Sequence, residues 1–410
     1  MSRQESYVKN GPRKRTLVLA GALALALTTG LAGSAGAAGA ESGKGNGKGN
    51  GKGGGDTRLY VPPPNPGALD QIAGLLRAGE WRDAAGLTRM ITTPQSVWLT
   101  GQEGSDVRKD ARAVMKGAKL QRALPVLTLY NVPGRDCSQY SSGGAANTAE
   151  YKAWIDEVAR GIGKGEAVVI LEPDGLALMP SDCGQDDDEG TLTAARFVEH
   201  NYAVDTLATL PGTTVYLDAG HSDWHSVNSI APRLIEAGVE NTAGFYLNPS
   251  NYQTDEDLAR YGTLISGCLS YAAGGGDPAD CPNQWWEPED AQEWLDENVT
   301  ADPADQPHFV TDTSRNGQGP WTAPEDAYPD PQEWCNPPDR GLGQRPTTDT
   351  GHPLIDAHLW IKIPGESDGE CLRGTEGPED PERGMELPAA GAWFPEQALE
   401  LVRYAQPPLR

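Results

Sequence analysis

The sequence predicts an α/β fold: a parallel sheet of about seven strands joined by helices and closed into a TIM-like (β/α) barrel, in preference to an open doubly wound sheet. Three observations carry this expectation. Short apolar runs recur along the chain, stretches with helical spacing lie between them, and an acidic or amide residue follows the end of most runs. Strand and helix in alternation mean parallel strands with helical crossovers.

The first 56 residues stand outside that pattern. "VKNGPRKR" supplies a basic start, Thr16 to Leu31 an apolar run, and "AGSAGAAGA" a choice of small-residue cleavage points, the layout of a secretory signal peptide over residues 1–40. A membrane-spanning helix is the competing reading, disfavoured because Gly and Ala break the run. Residues 41–56 contain "GKGNGKGNGKGGG", which has no apolar side chain to bury and reads as a flexible linker. The catalytic domain is expected over 57–410.

Within it the strands are read as "SVWLT" (96–100), "LPVLTLY" (124–130), "AVVIL" (167–171), "TTVYLD" (213–218), "GFYLN" (244–248), "HFVTD" (308–312) and "AHLWIKI" (357–363). Between them, "NTAEYKAWIDEVARGI" places Tyr151, Trp154, Ile155, Val158 and Ile162 at helical spacing, and "TLTAARFVEHNYAVDTLATL" is similar. Trp154 and Trp360 read as core. Residues 269–306, rich in Gly, Pro and Asp, break the alternation and read as an insertion, in which Trp285 and Trp286 serve either packing or substrate contact.

Charge and cysteine usage narrow the function. The formal charge is −25, and residues 1–56 carry eight Lys/Arg against three acids, which leaves about −30 on the domain. Such a surface repels nucleic acid and anionic lipid; no membrane contact is expected once the leader is removed. Six cysteines behind an export signal are expected as disulfides, and of the fifteen possible pairings the neighbour order Cys137–Cys183, Cys268–Cys281 and Cys335–Cys371 is the simplest. A zinc site lacks the necessary spacing, so no metal and no cofactor are expected. "GQDDDEG" (184–190) lacks the alternating ligands of a calcium loop and reads as solvated.

In a parallel barrel the carboxyl ends of all strands meet at one face. Asp136 follows Tyr130, Glu172 and Asp174 follow Leu171, Asp218 follows Leu217, Asn248 follows Leu247, Asp312 follows Val310, and Glu366 and Asp368 follow Ile363. These side chains are expected to converge on one cleft. A single one of them could be a plain helix cap. Several carboxylates, no nucleophile elbow, no phosphate loop and eleven tryptophans point to sugar chemistry. Glycosidic hydrolysis needs one protonated carboxyl and one carboxylate across the bond, with aromatic faces for the rings. Asp174, beside Glu172, Asp136 and Asp218, has the surroundings to stay protonated, whereas Lys362 next to Glu366 and Asp368 is expected to keep those two ionised.

The segments "YNVPGRDCSQYSSGG", "VVILEPDGL", "YLDAGHSDW", "TSRNGQG", "WCNPPDRGLG" and "GHPLIDAHLWIKIPGESDG" resemble, in order, those of the family-6 glycoside hydrolases, the inverting cellulases. The resemblance implies a distorted seven-stranded barrel. It implies Asp174 as proton donor, Asp136 as the aspartate that raises the donor's pKa and activates water through a solvent chain, and Asp368 as the other candidate base. It places Asp218 as a further cleft aspartate and Tyr130 against the sugar at the cleavage point. Arg135 falls beside the acids, Lys362 and Glu366 on sugar-binding positions, Trp98, Trp224 and Trp334 on ring-stacking ones and His221 on a hydrogen-bonding one. Asn248 is taken as a substrate contact. Two bridges, Cys137–Cys183 and Cys335–Cys371, match the family.

Two features depart from the resemblance. Residues 269–306 with Cys268 and Cys281 have no counterpart, and the stretch from Cys371 to Trp393 is short where exo-acting relatives roof their cleft. The expectation is therefore a secreted, monomeric endo-β-1,4-glucanase acting on cellulose, with an exo-acting cellobiohydrolase or a non-catalytic glucan-binding protein as alternatives. A metal-dependent deacetylase would also use Asp and His at barrel ends.

Overall fold

A computed structural model describes residues 56–102 and 104–409. The expected leader and nearly all of the linker lie outside the described residues. The chain opens with α1 (Pro66–Ala78) and α2 (Trp81–Ile91), then β1 (Val97–Leu99), α3 (Val107–Gln121), β2 (Val126–Leu129), α4 (Thr148–Ile162) and β3 (Ala167–Leu171). It continues through α5 (Thr191–Ala208), β4 (Thr213–Asp218), α6 (Val227–Glu236), β5 (Gly244–Leu247), α7 (Asp255–Ala273) and α8 (Pro288–Asn298). β6 (His308–Asp312), β7 (Ile355–Leu359) and α9 (Pro395–Arg403) complete it.

The strands pair in sequence order, all parallel, as one curled seven-stranded sheet. Among the described residues no ladder joins β7 to β1. The gap is spanned by Ser96 N–H donating to Trp360 O at 2.9 Å and by the Trp98 indole donating to Ile361 O at 2.8 Å. This is the distortion of the expected barrel. β7 ends four residues before the apolar run does, because the Ile361 and Lys362 amides turn to the Asp312 carboxylate and leave the ladder. Trp360 is buried as expected, but just past the strand, against Leu87, Met90 and Leu401.

Alternation along each strand divides the apolar residues between two cores. Leu127, Leu129, Val169, Leu171, Val215 and Leu217 pack outward against the helices, while Val126, Ile170, Tyr216, Tyr246 and Val310 fill the interior. A strand buried on both faces therefore reads as a continuous apolar run.

Side-chain caps start the helices where polar residues precede them: Asn65 accepts from Gly67 N, Asp106 from Lys109 N, Asn147 from Glu150 N and Thr254 from Asp257 N. Asp186 and Asp187 of "GQDDDEG" accept the Thr191, Leu192 and Thr193 amides at the start of α5, so these acids satisfy a helix end. Three disulfides are present in neighbour order. The segment read as an insertion begins inside α7, whose buried Leu258, Tyr261, Leu264, Ile265 and Leu269 continue past the expected boundary. Among the described residues no helix is long and apolar enough to cross a membrane.

Candidate active site

The strand ends carry two kinds of carboxylate. Glu172, Asp218 and Asp312 are fully buried and accept backbone N–H groups from loops on neighbouring strands. Glu172 Oε2 takes the Asn131 and Val132 amides at 2.7 and 2.9 Å, at the root of the loop that carries Asp136. Asp218 takes the Leu176, Ala177 and Gly220 amides, the first two directly after Asp174. Asp312 takes those of Ser250, Ser314, Ile361 and Lys362, where β7 turns toward Asp368. Each carboxylate holds the backbone of a loop bearing a functional group, a role that needs an acceptor and not a free charge. Burial lifts Asp218 to about 6 and Glu172 to about 7, against those amide bonds, and Asp312 upward as well.

Asp136, Asp174 and Asp368 instead line a cleft of ≈ 880 Å³. Glu172 and Asp174 both adopt positive φ, 51° and 64°, so the chain reverses tightly around Pro173: one carboxylate goes down to the amides and the next lines the cleft. Arg196 on α5 fixes this turn from below, donating to Gly175 O at 2.8 Å and to Pro133 O at 2.9 Å. One buried guanidinium thereby joins the Asp174 loop to the Asp136 loop, with Glu199 as its counter-ion at 3.7 Å.

The cleft carboxyls have divergent environments. Burial, then the charges of Asp218 and Asp136, push Asp174 well above the usual carboxylate range, against a hydrogen bond from the Tyr130 hydroxyl and the charge of Lys362. Asp136 is raised to about 6 by burial, against the Ser141 amide and the Arg135 and Lys362 charges. Asp368 is buried too, yet Arg315 at 2.8 Å, Lys362 at 3.1 Å and the Asn336 amide at 3.0 Å outweigh desolvation and hold it below its ordinary value. A carboxyl kept protonated and a carboxylate kept ionised in one cleft can supply a proton on one side and a negative charge on the other.

The comparisons bear on which reaction this serves. The glycosyl hydrolases family 6 profile matches residues 55–405. The chain belongs to glycosyl hydrolase family 6. Endoglucanase A of Cellulomonas fimi is 37% identical over 331 residues, 80% of this chain and 58% of that protein. The chain thus spans less than two thirds of that relative. Endoglucanase 1 of a Streptomyces species is 35% identical, covering 73% of this chain and 70% of that protein, and a probable 1,4-beta-D-glucan cellobiohydrolase C of Aspergillus niger is 30% identical, covering 79% and 71%. Among solved structures, the endoglucanase Cel6 of Mycobacterium tuberculosis in complex with a thio-linked cellobioside superposes with a TM-score of 0.64 at 36% identity, covering 85% of this chain and 97% of that one.

On this family-6 scaffold the expected residues divide. Trp98, Tyr130, Arg135, His221, Trp224, Trp334, Lys362 and Glu366 line the cleft with the three aspartates. Trp98 meets Tyr130 edge-on at 5.3 Å. Arg135 lies 4.5 Å over the Tyr130 ring and spends its donors on Thr100, Tyr130 and Ser141 carbonyls, so it organises the wall. His221 is driven down to about 4 by burial and is neutral at physiological pH.

Asp218 and Asn248 do not reach the cleft. Asp218 is occupied by amides, and Asn248, with no exposed surface, donates to Asp312 O and accepts from Gln253 N. Glu172 is turned away from Asp174 toward the Asn131 and Val132 amides. Glu366 is raised above its ordinary value, against the expected effect of Lys362, because burial outweighs the Lys362 charge and the Asn65 amide. Sequence reasoning missed Arg315, Tyr252 and Asn336 around Asp368, and Arg196. Tyr252 donates to Asp368 at 3.4 Å beneath the Arg315 guanidinium, which lies 4.5 Å from its ring centre. The one available signal was that Arg315 is the only cation in "TSRNGQG".

Proposed function

We propose that the protein is an exported, monomeric cellulase that cuts internal β-1,4-glucosidic bonds with inversion at the anomeric carbon. Asp174 donates its proton to the leaving oxygen, and water is activated by Asp368, by Asp136 through solvent, or by both. The observation that carries this reading is the opposed tuning of Asp174 and Asp368 in one aromatic-walled cleft. Three disulfides fit an oxidising compartment. The endo mode is supported by the short stretch between Cys371 and Trp393, and by relatives named endoglucanases at 33–37% identity against 29–31% for those named cellobiohydrolases.

Hydrolysis of hydroxyethylcellulose tests it. Asp174→Ala should lower reducing-end release about 10²–10⁴-fold with folding intact. NMR should show the α-anomer first, and viscosity should fall steeply per end released. Early β-anomer refutes inversion; slow viscosity loss refutes internal cutting; full activity of the variant refutes Asp174 as donor.

A further inference from the structure

The connection from β5 to β6 makes a detour that the barrel does not require. α7 starts at the cleft face and runs to the opposite face, where β6 begins. Residues 274–287 instead return along α7, tied to it by the Cys268–Cys281 bridge, and α8 descends again with Leu295 packed over Gly267. The apex of the detour is Gln284–Trp286. Gln284 Nε2 donates to Ser222 O and His225 O, both at 2.9 Å. Those carbonyls belong to the turn that sends His221, Asp223 and Trp224 into the cleft.

The apex is also braced at its own backbone. Arg260, near the start of α7, donates to Trp286 O. Asn283 accepts the Trp285 amide on its side chain and the Trp286 amide on its carbonyl. Trp285 and Trp286 nevertheless remain 61% and 41% exposed. Consecutive exposed tryptophans, on a turn pinned to the loop that carries Trp224 into the cleft, are the arrangement of a ring-stacking surface.

We propose that Trp285 and Trp286 form a binding platform for a β-1,4-glucan chain where it passes the Trp224 edge of the cleft. The platform rests on the glucan reading above and adds contacts outside the cleft. Continuity with the Trp224 turn selects the occupant, and Glu287, Glu289 and Asp290 directly after the indoles select an uncharged polymer over an anionic one. The extra disulfide thereby acquires a purpose: it holds the return segment in place behind the platform.

Affinity electrophoresis in neutral hydroxyethylcellulose decides this, with cellotetraose hydrolysis in parallel. The wild-type chain should be retarded. In Trp285→Ala/Trp286→Ala the dissociation constant should rise about threefold to tenfold, the worth of one or two stacking contacts. Cellotetraose kcat/KM should stay within about twofold, and Trp285→Phe/Trp286→Phe should recover most of the retardation. No retardation of the wild type, equal retardation of the Ala variant, or a parallel loss on cellotetraose overturns the platform. Retardation that depends on the indoles in a protein releasing no reducing ends keeps the platform and defeats the hydrolytic reading. Normal hydrolysis with unchanged retardation does the reverse.

Discussion

Glu172→Gln should flatten the pH dependence of stability while leaving the loop it anchors in place. Glu172 is fully buried and raised from 4.5 to about 7, so the native chain holds a proton between those values that the unfolded chain has released. Stability changes with pH as the protons bound by the unfolded state minus those bound by the native state. That difference is negative here. The contribution is complete below the unfolded pKa, is lost as pH climbs through about 7, and is flat above. A rise of this size corresponds to about 3 kcal/mol, at 1.36 kcal/mol per unit. Gln fits the site because Oε2 alone takes both amides, while Oε1 has no partner of ordinary geometry and faces the Tyr151 hydroxyl. An amide nitrogen in place of Oε1 gains an acceptor. Urea unfolding at pH 5 and pH 8 measures the effect: the wild-type chain should lose about 2.5 kcal/mol more than the variant between the two, since pH 5 already lies above the unfolded pKa. An identical loss in both proteins refutes a protonated Glu172, and a variant weaker by several kcal/mol at both pH values refutes the fit of Gln.

Arg196→Met should lower the urea midpoint by the equivalent of about 1–3 kcal/mol, because the buried Gly175 O and the part-buried Pro133 O lose their donor. It should also lower kcat on cellotetraose more than it changes KM, since the loops that carry Asp174 and Asp136 lose their common anchor. Asp136→Asn should move the alkaline limb of kcat/KM toward acid by about one unit. On the proposal that Asp174 acts protonated, removing a negative neighbour makes its ionisation easier; a pH–rate profile with an unmoved limb counts against this.

The barrel was legible because a strand buried on both faces reads as an unbroken apolar run and a crossover helix as a 3.6-residue period, and both signals are local. The active site was legible only in part. That an acid stands at a strand end is written in the sequence; whether it faces the cleft or a neighbouring loop's amides depends on backbone angles two residues away. Glu172 and Asp174 share one turn and face opposite ways, and Asp218, the last residue of β4, is held inward by the Leu176, Ala177 and Gly220 amides. Arg315 and Arg196 were passed over because an arginine in a polar loop or helix reads as solvated. Each is buried by a contact distant in sequence, Asp368 in one case and the Pro133 carbonyl in the other.

Anchoring and tuning are performed by the same groups. Asp218 fixes the chain after Asp174 through the Leu176 and Ala177 amides, and its charge is also, after burial, the largest cause of Asp174's raised pKa. Because Asp218 itself sits at about 6, that repulsion exists only once Asp218 has ionised. Below that pH Asp174 is kept protonated by burial alone; above it, each proton lost by Asp218 or Asp136 makes the Asp174 proton harder to remove. The Asp174 proton is therefore held hardest at the pH where it would otherwise be lost. At Asp368 the logic is reversed: Arg315 is a permanent charge, so Asp368 stays ionised across the same range. Titrating neighbours around Asp174 and a non-titrating one beside Asp368 widen the pH interval in which one stays protonated and the other ionised.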